Sequence, residues 1–494
     1  MMEVLNLTEP EQRERLIILT DMENEPDDSQ TMVRLLAYAN EVDIEGLIAV
    51  TSCWLRYEVF PESIVDRVKA YGLVRDNLMR HAPGWPTEEH LLSVTGGGQI
   101  GFGMEGVGDG RMSKGAEIII KAIDKDDPRP VNFAINAGSN TLAQALWEVR
   151  RTRSEEEVRQ FVSKIRVFDD SGQDNAGAWI AHNFPDLFYA RSRAQVFGLY
   201  GPVMGAGPNV FGDDTEFEWI ERHIRTRHGI LGAMYPQRMW LAPPWNYAII
   251  ELGQSHRFEI AHKFTEGGGT GSWLGLVNKG LFDAHHIHYG GWGGRYGREK
   301  EHVSAGQYKV EDLEVDYLPF EMYPQARDTS FVHEETVNAK VFSGVRGNVE
   351  YTNEDFAAIW RWRDAITRDF QARMDWCVAG PESADHNPVV SLFGNEGRTI
   401  LYAKASAGET VNLDASASRS PDGTDLSFKW YFYPEAGTYE GALPDAADLG
   451  TASTVNFTVP GDASGSELHL ILEVTSSGIQ VPLTSYRRFV IKVA

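Results

Sequence analysis

The densest concentration of chemistry in this 494-residue chain is Thr20-Asp21-Met22-Glu23-Asn24-Glu25-Pro26-Asp27-Asp28, which packs five carboxylates into eight residues. Like charges this close raise one another's proton affinity unless a cation or protons neutralise them. Hard oxygen ligands of this kind suit Ca²⁺ or Mg²⁺ better than zinc. A carboxylate in such a group can also act as a general base. The ordinary alternative is a solvated acidic loop.

A second polar set, Gln173, Asp174, Asn175 and Trp179, combines two amides and a carboxylate with an indole. The polar groups can hydrogen-bond sugar hydroxyls while the indole stacks on a ring face; a polar turn with a packing tryptophan is the alternative. Trp54 and Arg56 are similar candidates. Asp283-Ala284-His285-His286-Ile287-His288 tempts a zinc reading, but it has no closed ligand spacing and no cysteine nearby, so a polar loop is favoured. Gly290-Gly291-Trp292-Gly293-Gly294-Arg295 is not followed by G-K-[ST] and is no phosphate loop; it is expected to hold a tryptophan and Arg295 over a pocket rim.

The elements that must position these groups read as a parallel α/β sheet. Arg15 to Leu19 is an apolar run ending at the acidic cluster, Ser29 to Asn40 has near-helical apolar spacing, and Gly46 to Val50 is a second apolar run. Val131 to Asn136 precedes a helical stretch from Thr141 to Val149, and Lys164 to Phe168 runs into Asp169-Asp170. In open α/β sheets a ligand lies beyond the carboxyl ends of the strands, which is where the polar clusters fall. No G-x-G-x-x-G follows the first strand, so a dinucleotide site has no support.

Residues 200–335, rich in Gly, Trp and His, are expected to form loops and short elements capping the sheet. Thr352-Asn353-Glu354 is expected to cap one long helix over 353–377. Beyond Pro381 period-two runs separated by turn residues predict a β-sandwich. The resulting division is an N-terminal tail over 1–14, an α/β domain over 15–380 and a sandwich over 381–494.

A net charge of −25 repels phosphate backbones and anionic lipid, so nucleic acid and membrane are poor partners, and a neutral sugar or nucleoside fits better. Homo-oligomerisation stays open. Cys53 and Cys377 make no disulfide framework and read as buried thiols. The chain as it stands reads as cytoplasmic, or as secreted or periplasmic if an export signal has been removed.

Asp21-x-Glu23-x-x-x-Asp27-Asp28 resembles the D-x-D-x-x-x-D-D signature of inosine-uridine nucleoside hydrolases, which have a parallel-sheet α/β fold and bind Ca²⁺ at this loop. A closer resemblance spans nearly the whole chain, to a bacterial cellulose-binding-protein-like family with a nucleoside hydrolase-like domain followed by a β-sandwich. It rests on Thr51 to Arg56, His81 to Thr87, Asp126 to Pro130, Asn140 to Leu146, Gln173 to Ile180 and Gly290 to Tyr296, besides the acidic loop. Gly408 to Ser416 and Ser420 to Gly423 resemble immunoglobulin-like modules of the polycystic-kidney-disease type.

Carried over, the nucleoside hydrolase pattern makes Asp28 a metal ligand, Asp27 a sugar-hydroxyl partner and the main-chain carbonyl near Asn140 a further metal ligand. The residue that is both ligand and general base falls on Glu23, one methylene longer than the family's Asp, with Asp21 or Asn24 as candidates to share its role. The late Asp that completes the family's metal shell has no counterpart in Glu266-Gly267-Gly268-Gly269, so either Glu266 or Asp283 substitutes or the metal is weak or absent. The resemblance thus implies a hydrolase of N- or O-glycosidic bonds with Asp21, Glu23 and Asp27 catalytic. Asn24, Trp54, Gln173, Asp174, Asn175, Trp179, Glu266 and Arg295 would contact the sugar, and Ca²⁺ would be held by Asp28, Glu23 and Asn140. The alternative is a carbohydrate-binding protein that kept the pocket and lost catalysis.

Overall fold

Strand β2 (Glu14–Thr20) shows how the core is divided: its period of two sends Leu16 and Ile18 into one apolar layer and Ile17 and Leu19 into the other. A strand covered on both faces needs a continuous apolar run, and this one is buried from Arg15 to Thr20. The computed structural model describes residues 2–7, 11–23, 26–192, 199, 207–236, 238–241, 258–261, 267–303, 320–331, 339–342, 348–443 and 449–494.

The sheet around β2 contains β3 (Val42–Ala49), β4 (Thr95–Gly97), β5 (Val131–Ile135), β6 (Ile165–Asp170), β7 (Phe188–Ser192), β10 (Glu301–Val303) and β11 (Phe320–Pro324), in the order β10-β11-β7-β6-β5-β2-β3-β4. All neighbours run parallel except β10, which pairs antiparallel with β11. A hairpin of β8 (Arg238–Leu241) and β9 (Phe258–Ala261) and another of β12 (Ala339–Phe342) and β13 (Asn348–Tyr351) stand apart from it.

Helices α1 (Pro26–Leu36) and α2 (Pro61–His81) cover one face. The short α3 (Glu88–Ser93) follows, and α4 (Lys114–Ile123), α5 (Asn140–Thr152), α6 (Glu155–Ser163) and α7 (Ala176–Asn183) cover the other face. The chain moves from β2 outward to β3 and β4, then returns to β5 on the opposite side of β2. The carboxyl ends of β2 and β5 therefore flank the switch point where such sheets open a crevice. Among the described residues no helix is long and apolar enough to cross a membrane.

Beyond residue 400 the chain is strand-rich and mostly antiparallel: β14 (Leu401–Ala405), β15 (Thr410–Asp414), β16 (Leu426–Phe432), β17 (Thr454–Thr458), β18 (Glu467–Ser476) and β19 (Thr484–Val493). A five-stranded sheet, β1-β14-β19-β18-β16, packs against the β15-β17 pair through Leu401, Trp430, Leu470 and Phe489 on one side and Val411, Leu413 and Phe457 on the other. Its first member is β1 (Glu3–Val4), so the expected N-terminal tail is in part a strand of this sheet. It pairs antiparallel with β14, placing Glu3 opposite Lys404, and thereby covers an edge left open.

The expected single helix over 353–377 is two, Asn353–Trp360 and Arg363–Asp375. The break frees Arg361 and Trp362 to enter the seam with the strand-rich region. There the Arg361 guanidinium lies 4.0 Å from the ring centroid of Tyr433, and Trp362 meets Tyr433 and Tyr486 edge-on.

Candidate functional site

The acidic cluster splits at the turn between β2 and α1. Asp21 and Asp28 are buried, and Asp27 is half-buried in the first turn of α1, where the helix macrodipole favours negative charge. Thr20 donates its hydroxyl to Asp28, and Ser52, just past β3, donates to Asp21 at 2.5 Å. Ser52 Oγ in turn accepts the backbone N–H groups of Trp54 at 3.0 Å and Leu55 at 3.1 Å, which ties the loop after β3 to the end of β2.

Burial pushes both carboxyls of the Asp21 and Asp28 pair upward in pKa. Asp28 goes well up, because the charges of Asp21 and Asp27 add to burial, and a hydrogen bond joins Asp21 to Asp28. Asp170, at the end of β6, belongs with them. It is raised by burial and by the charges of Asp169, Asp27 and Asp21, against the Ser171 hydroxyl donated at 2.8 Å. Its neighbour Asp169 behaves differently, being fixed by Arg191 (2.8 and 3.0 Å) and the Tyr189 hydroxyl (2.9 Å).

The amides expected at the site are partly structural. Asp174 accepts backbone N–H bonds from Asn140 at 3.1 Å and Ala176 at 2.9 Å, so it tethers the start of α5 to the start of α7; burial still pushes it up to about 6. Asn140 spends its side-chain amide on Thr51 Oγ1 (2.8 Å) and the Gly101 carbonyl (2.9 Å), and Asn175 accepts the Met104 N–H at 2.9 Å. Gln173 donates to the Asn136 carbonyl at 2.7 Å, while its Oε1 and the Nδ2 of Asn136 are buried with no hydrogen-bond partner among the described residues. Asn136 Oδ1 accepts the Ser272 hydroxyl.

Four expected residues lie elsewhere. Glu23, in the left-handed region at φ 73°, is held by the Ser63 hydroxyl and lies 3.7 Å from Arg67, both on α2. Arg67 needs the carboxylate because it is itself buried, and this draws Glu23 from the expected base position. Trp179 packs on Phe184 and under the guanidinium of Arg150 on the outer side of α5 and α7. Arg295 is not at a rim; it bonds Asp328 at 2.7 Å and the carbonyls of Arg327 and Glu435. Asp283 serves His286 (2.8 Å) and Tyr402 (3.2 Å) beside Glu14, at the amino end of β2, and so cannot replace a ligand at its carboxyl end. Trp54 is buried next to Ser52, and Asn24 and Glu266 lie outside the described residues.

The glycines that replace the late Asp have a steric reason. A Cβ at Gly267 would come within 2.4 Å of Thr31 Oγ1, and one at Gly269 within 2.5 Å of the Asn136 side chain. Among the described residues no three acidic or histidine side chains stand close enough together to hold a metal. Among the described residues Glu23 is drawn to Arg67 and Asp21 is hydrogen-bonded to Asp28.

Asp170, Ser52 and Asn136 are site residues that sequence reasoning did not single out. Asp170 ends β6, Asn136 follows β5 and Ser52 lies just past β3, and this place at the carboxyl end of a parallel strand is the signal that could have found them.

Residues 15–296 match the family model described as the cellulose-binding Sde182 nucleoside hydrolase-like domain, and residues 410–493 match the C-terminal domain of the cellulose-binding protein Sde0182. A solved structure of a nucleoside hydrolase-related hypothetical protein from Saccharophagus degradans, associated with carbohydrate metabolism, is 34% identical. The match covers 98% of this chain and 100% of that one, at a TM-score of 0.77. No curated protein matches the chain. With the nucleoside hydrolase-like fold and both family models in register along it, the chain belongs to the Sde182 family of cellulose-binding, nucleoside hydrolase-like proteins.

Proposed function

We propose that the crevice binds a neutral sugar and hydrolyses its glycosidic bond. The observation that carries this reading is the set Asp21, Asp27, Asp28 and Asp170, buried or half-buried carboxyls that act on one another. Beside them are a buried donor, Asn136 Nδ2, and a buried acceptor, Gln173 Oε1, with no partner among the described residues. Vicinal hydroxyls, which both donate and accept, satisfy such a set, whereas an anionic ligand would be repelled.

Glycoside hydrolysis needs one carboxyl that gives a proton to the leaving group and one that takes a proton from the attacking water. Asp170, whose carboxyl burial and the acidic neighbours push well up, fits the first role. The pair of Asp21 and Asp28 fits the second: its negative charge supports the oxocarbenium character at the anomeric carbon and is neutralised as it takes the proton of the attacking water.

Turnover of furanosides, pyranosides and nucleosides by the full chain, compared with Asp170→Asn and Asp28→Asn, tests the reading. Each variant is expected to lose about 100-fold or more in kcat, and activity indifferent to both substitutions would end it. A second reading, binding of carbohydrate without turnover, is favoured by the diversion of Glu23 to Arg67. It predicts cello-oligosaccharide binding that calorimetry detects, that Asp28→Asn abolishes and that no product accompanies.

A further inference from the structure

Where the end of α2 meets the strand-rich region, two imidazoles face each other: His81 Nδ1 lies 3.1 Å from His386 Nε2. The outer nitrogens decide what lies between them. His81 Nε2 is 2.9 Å from the carbonyl of Ala379, which can only accept, so this nitrogen carries a hydrogen. His386 Nδ1 is 2.7 Å from Oδ1 of Asp422, whose other oxygen accepts the His386 backbone N–H at 2.7 Å, so this nitrogen carries one too. A neutral imidazole has a single N–H. If both rings were neutral, two lone pairs would oppose each other at 3.1 Å across a half-buried contact.

We propose that one retained proton bridges His81 and His386, so that the folded protein carries one imidazolium at this seam, and that the bridge latches the strand-rich region to α2 only within a middle range of pH. One added proton converts opposed lone pairs into an N–H···N bond; a second would set two N–H groups against each other. The proton belongs to the rings rather than to Asp422, because an imidazole is more basic than a carboxylate by about 2.6 pKa units.

The surroundings fit a single charge. Asp422 pairs with His386, and Glu382 favours a cation at His81 while Arg80 opposes it. Burial, and then the partner ring and Arg80, push His81 downward against the Ala379 carbonyl and Glu382, so the bridging bond has that burial to outweigh. The ring of Trp376 lies parallel to His81 with centroids 5.1 Å apart, and its Nε1 donates to the Asp385 carbonyl at 2.9 Å, so the indole at the end of the Arg363–Asp375 helix frames the bridge as well.

The sign follows from linkage. On this proposal the pair as a unit holds one proton more tightly folded than unfolded, so the contribution of the bridge is full below the ordinary imidazole pKa of about 6.5 and is lost as pH rises above it. At acid pH, entry of the second proton breaks the bridge from the other side.

Full-length protein labelled with ¹⁵N-histidine tests this, with His81→Gln and His386→Gln to assign the signals. At pH 7.5 one imidazolium signal is expected that is absent from both variants. Between pH 6 and 9 the unfolding equilibrium constant of the unsubstituted chain is expected to rise about tenfold for each unit by which the folded pair outbinds a free imidazole. In His81→Gln it should rise by less, because the new amide N–H can donate to a neutral His386 with no extra proton. Two neutral rings at pH 7.5, or equal pH profiles for the two proteins, would overturn the proposal. A chelator that shifts both the histidine signals and the unfolding midpoint would overturn it in favour of a metal bridge. Should His81→Gln fail to fold, the spectrum of the unsubstituted chain decides alone.

Discussion

The crevice at the carboxyl edge of the parallel sheet and the seam beneath the strand-rich region both bury carboxylates, and they treat them in opposite ways. In the seam Asp369, Glu41 and Asp328 each have a base. Asp369 meets Lys279 at 2.7 Å and the Tyr38 hydroxyl at 2.6 Å. Glu41 meets Arg373 and Arg398, and Asp328 takes Arg295 at 2.7 Å, Arg361 at 3.1 Å and Tyr433 at 2.5 Å. Burial pushes Asp369 and Glu41 upward, but Lys279 and the arginines more than offset it, so both end below the usual carboxylate range. In the crevice Asp28 and Asp170 face other acids, and burial and repulsion act together to raise them. The difference separates charges compensated within the chain from charges that are not and that, on the proposed reading, serve a ligand.

Breaking the seam should cost the most. Asp328→Ala leaves Arg295 and Arg361 buried without their carboxylate and is expected to destabilise the chain by about 3–5 kcal/mol in urea unfolding. A cost below about 1 kcal/mol would put Asp328 in the class of surface ion pairs and erase the contrast. The matching change in the crevice should reverse the pattern. Asp28→Asn relieves repulsion from Asp21 and Asp27, so stability is expected to hold or rise slightly, while turnover or sugar binding falls about 100-fold, equal to about 2.7 kcal/mol.

A smaller effect separates the two regions by pH. Asp170 binds its proton more tightly folded than unfolded, so its contribution is present below the ordinary carboxyl value and is lost as pH rises through the raised one. Asp369, lowered in the fold, contributes above the ordinary value and loses its contribution as pH falls. Asp170→Asn should therefore flatten the decline in unfolding midpoint from pH 4 upward while leaving the acid limb in place. An unchanged slope, measured with chelator present, would show that Asp170 is not held as a carboxylic acid.

How much of this was readable from the residues depends on the range of the interaction. The strand-helix-strand order, the crevice at the strand ends and the acidic loop are local patterns, so the runs Arg15 to Asp21 and Gly46 to Ser52 were enough to locate them. The fate of Glu23 was not readable, because Arg67 lies on the next helix and the positive φ at Glu23 is set by tertiary structure. Arg295 misled for the same reason: its partner Asp328 sits in a stretch with no motif, and Glu435 comes from the strand-rich region. The N-terminal residues looked like a tail because a two-residue strand has no period to detect; it exists only through pairing with Ala403 and Lys404.

Glu23 supplies the finest test of the comparison, since it stands beside the crevice yet is treated like a carboxylate of the seam. Its partners are a serine hydroxyl and a buried arginine, and it is about one-quarter exposed, so water can replace part of what the pair provides. Glu23→Gln keeps the hydrogen bond from Ser63 and removes only the charge facing Arg67. If Glu23 belongs with the compensated charges, turnover or sugar affinity should change less than about tenfold, while Asp28→Asn costs 100-fold. A loss in Glu23→Gln as large as in Asp28→Asn would mean that the carboxylate leaves Arg67 when a sugar enters. The general base would then be the residue aligned with the nucleoside hydrolase signature rather than the pair of Asp21 and Asp28.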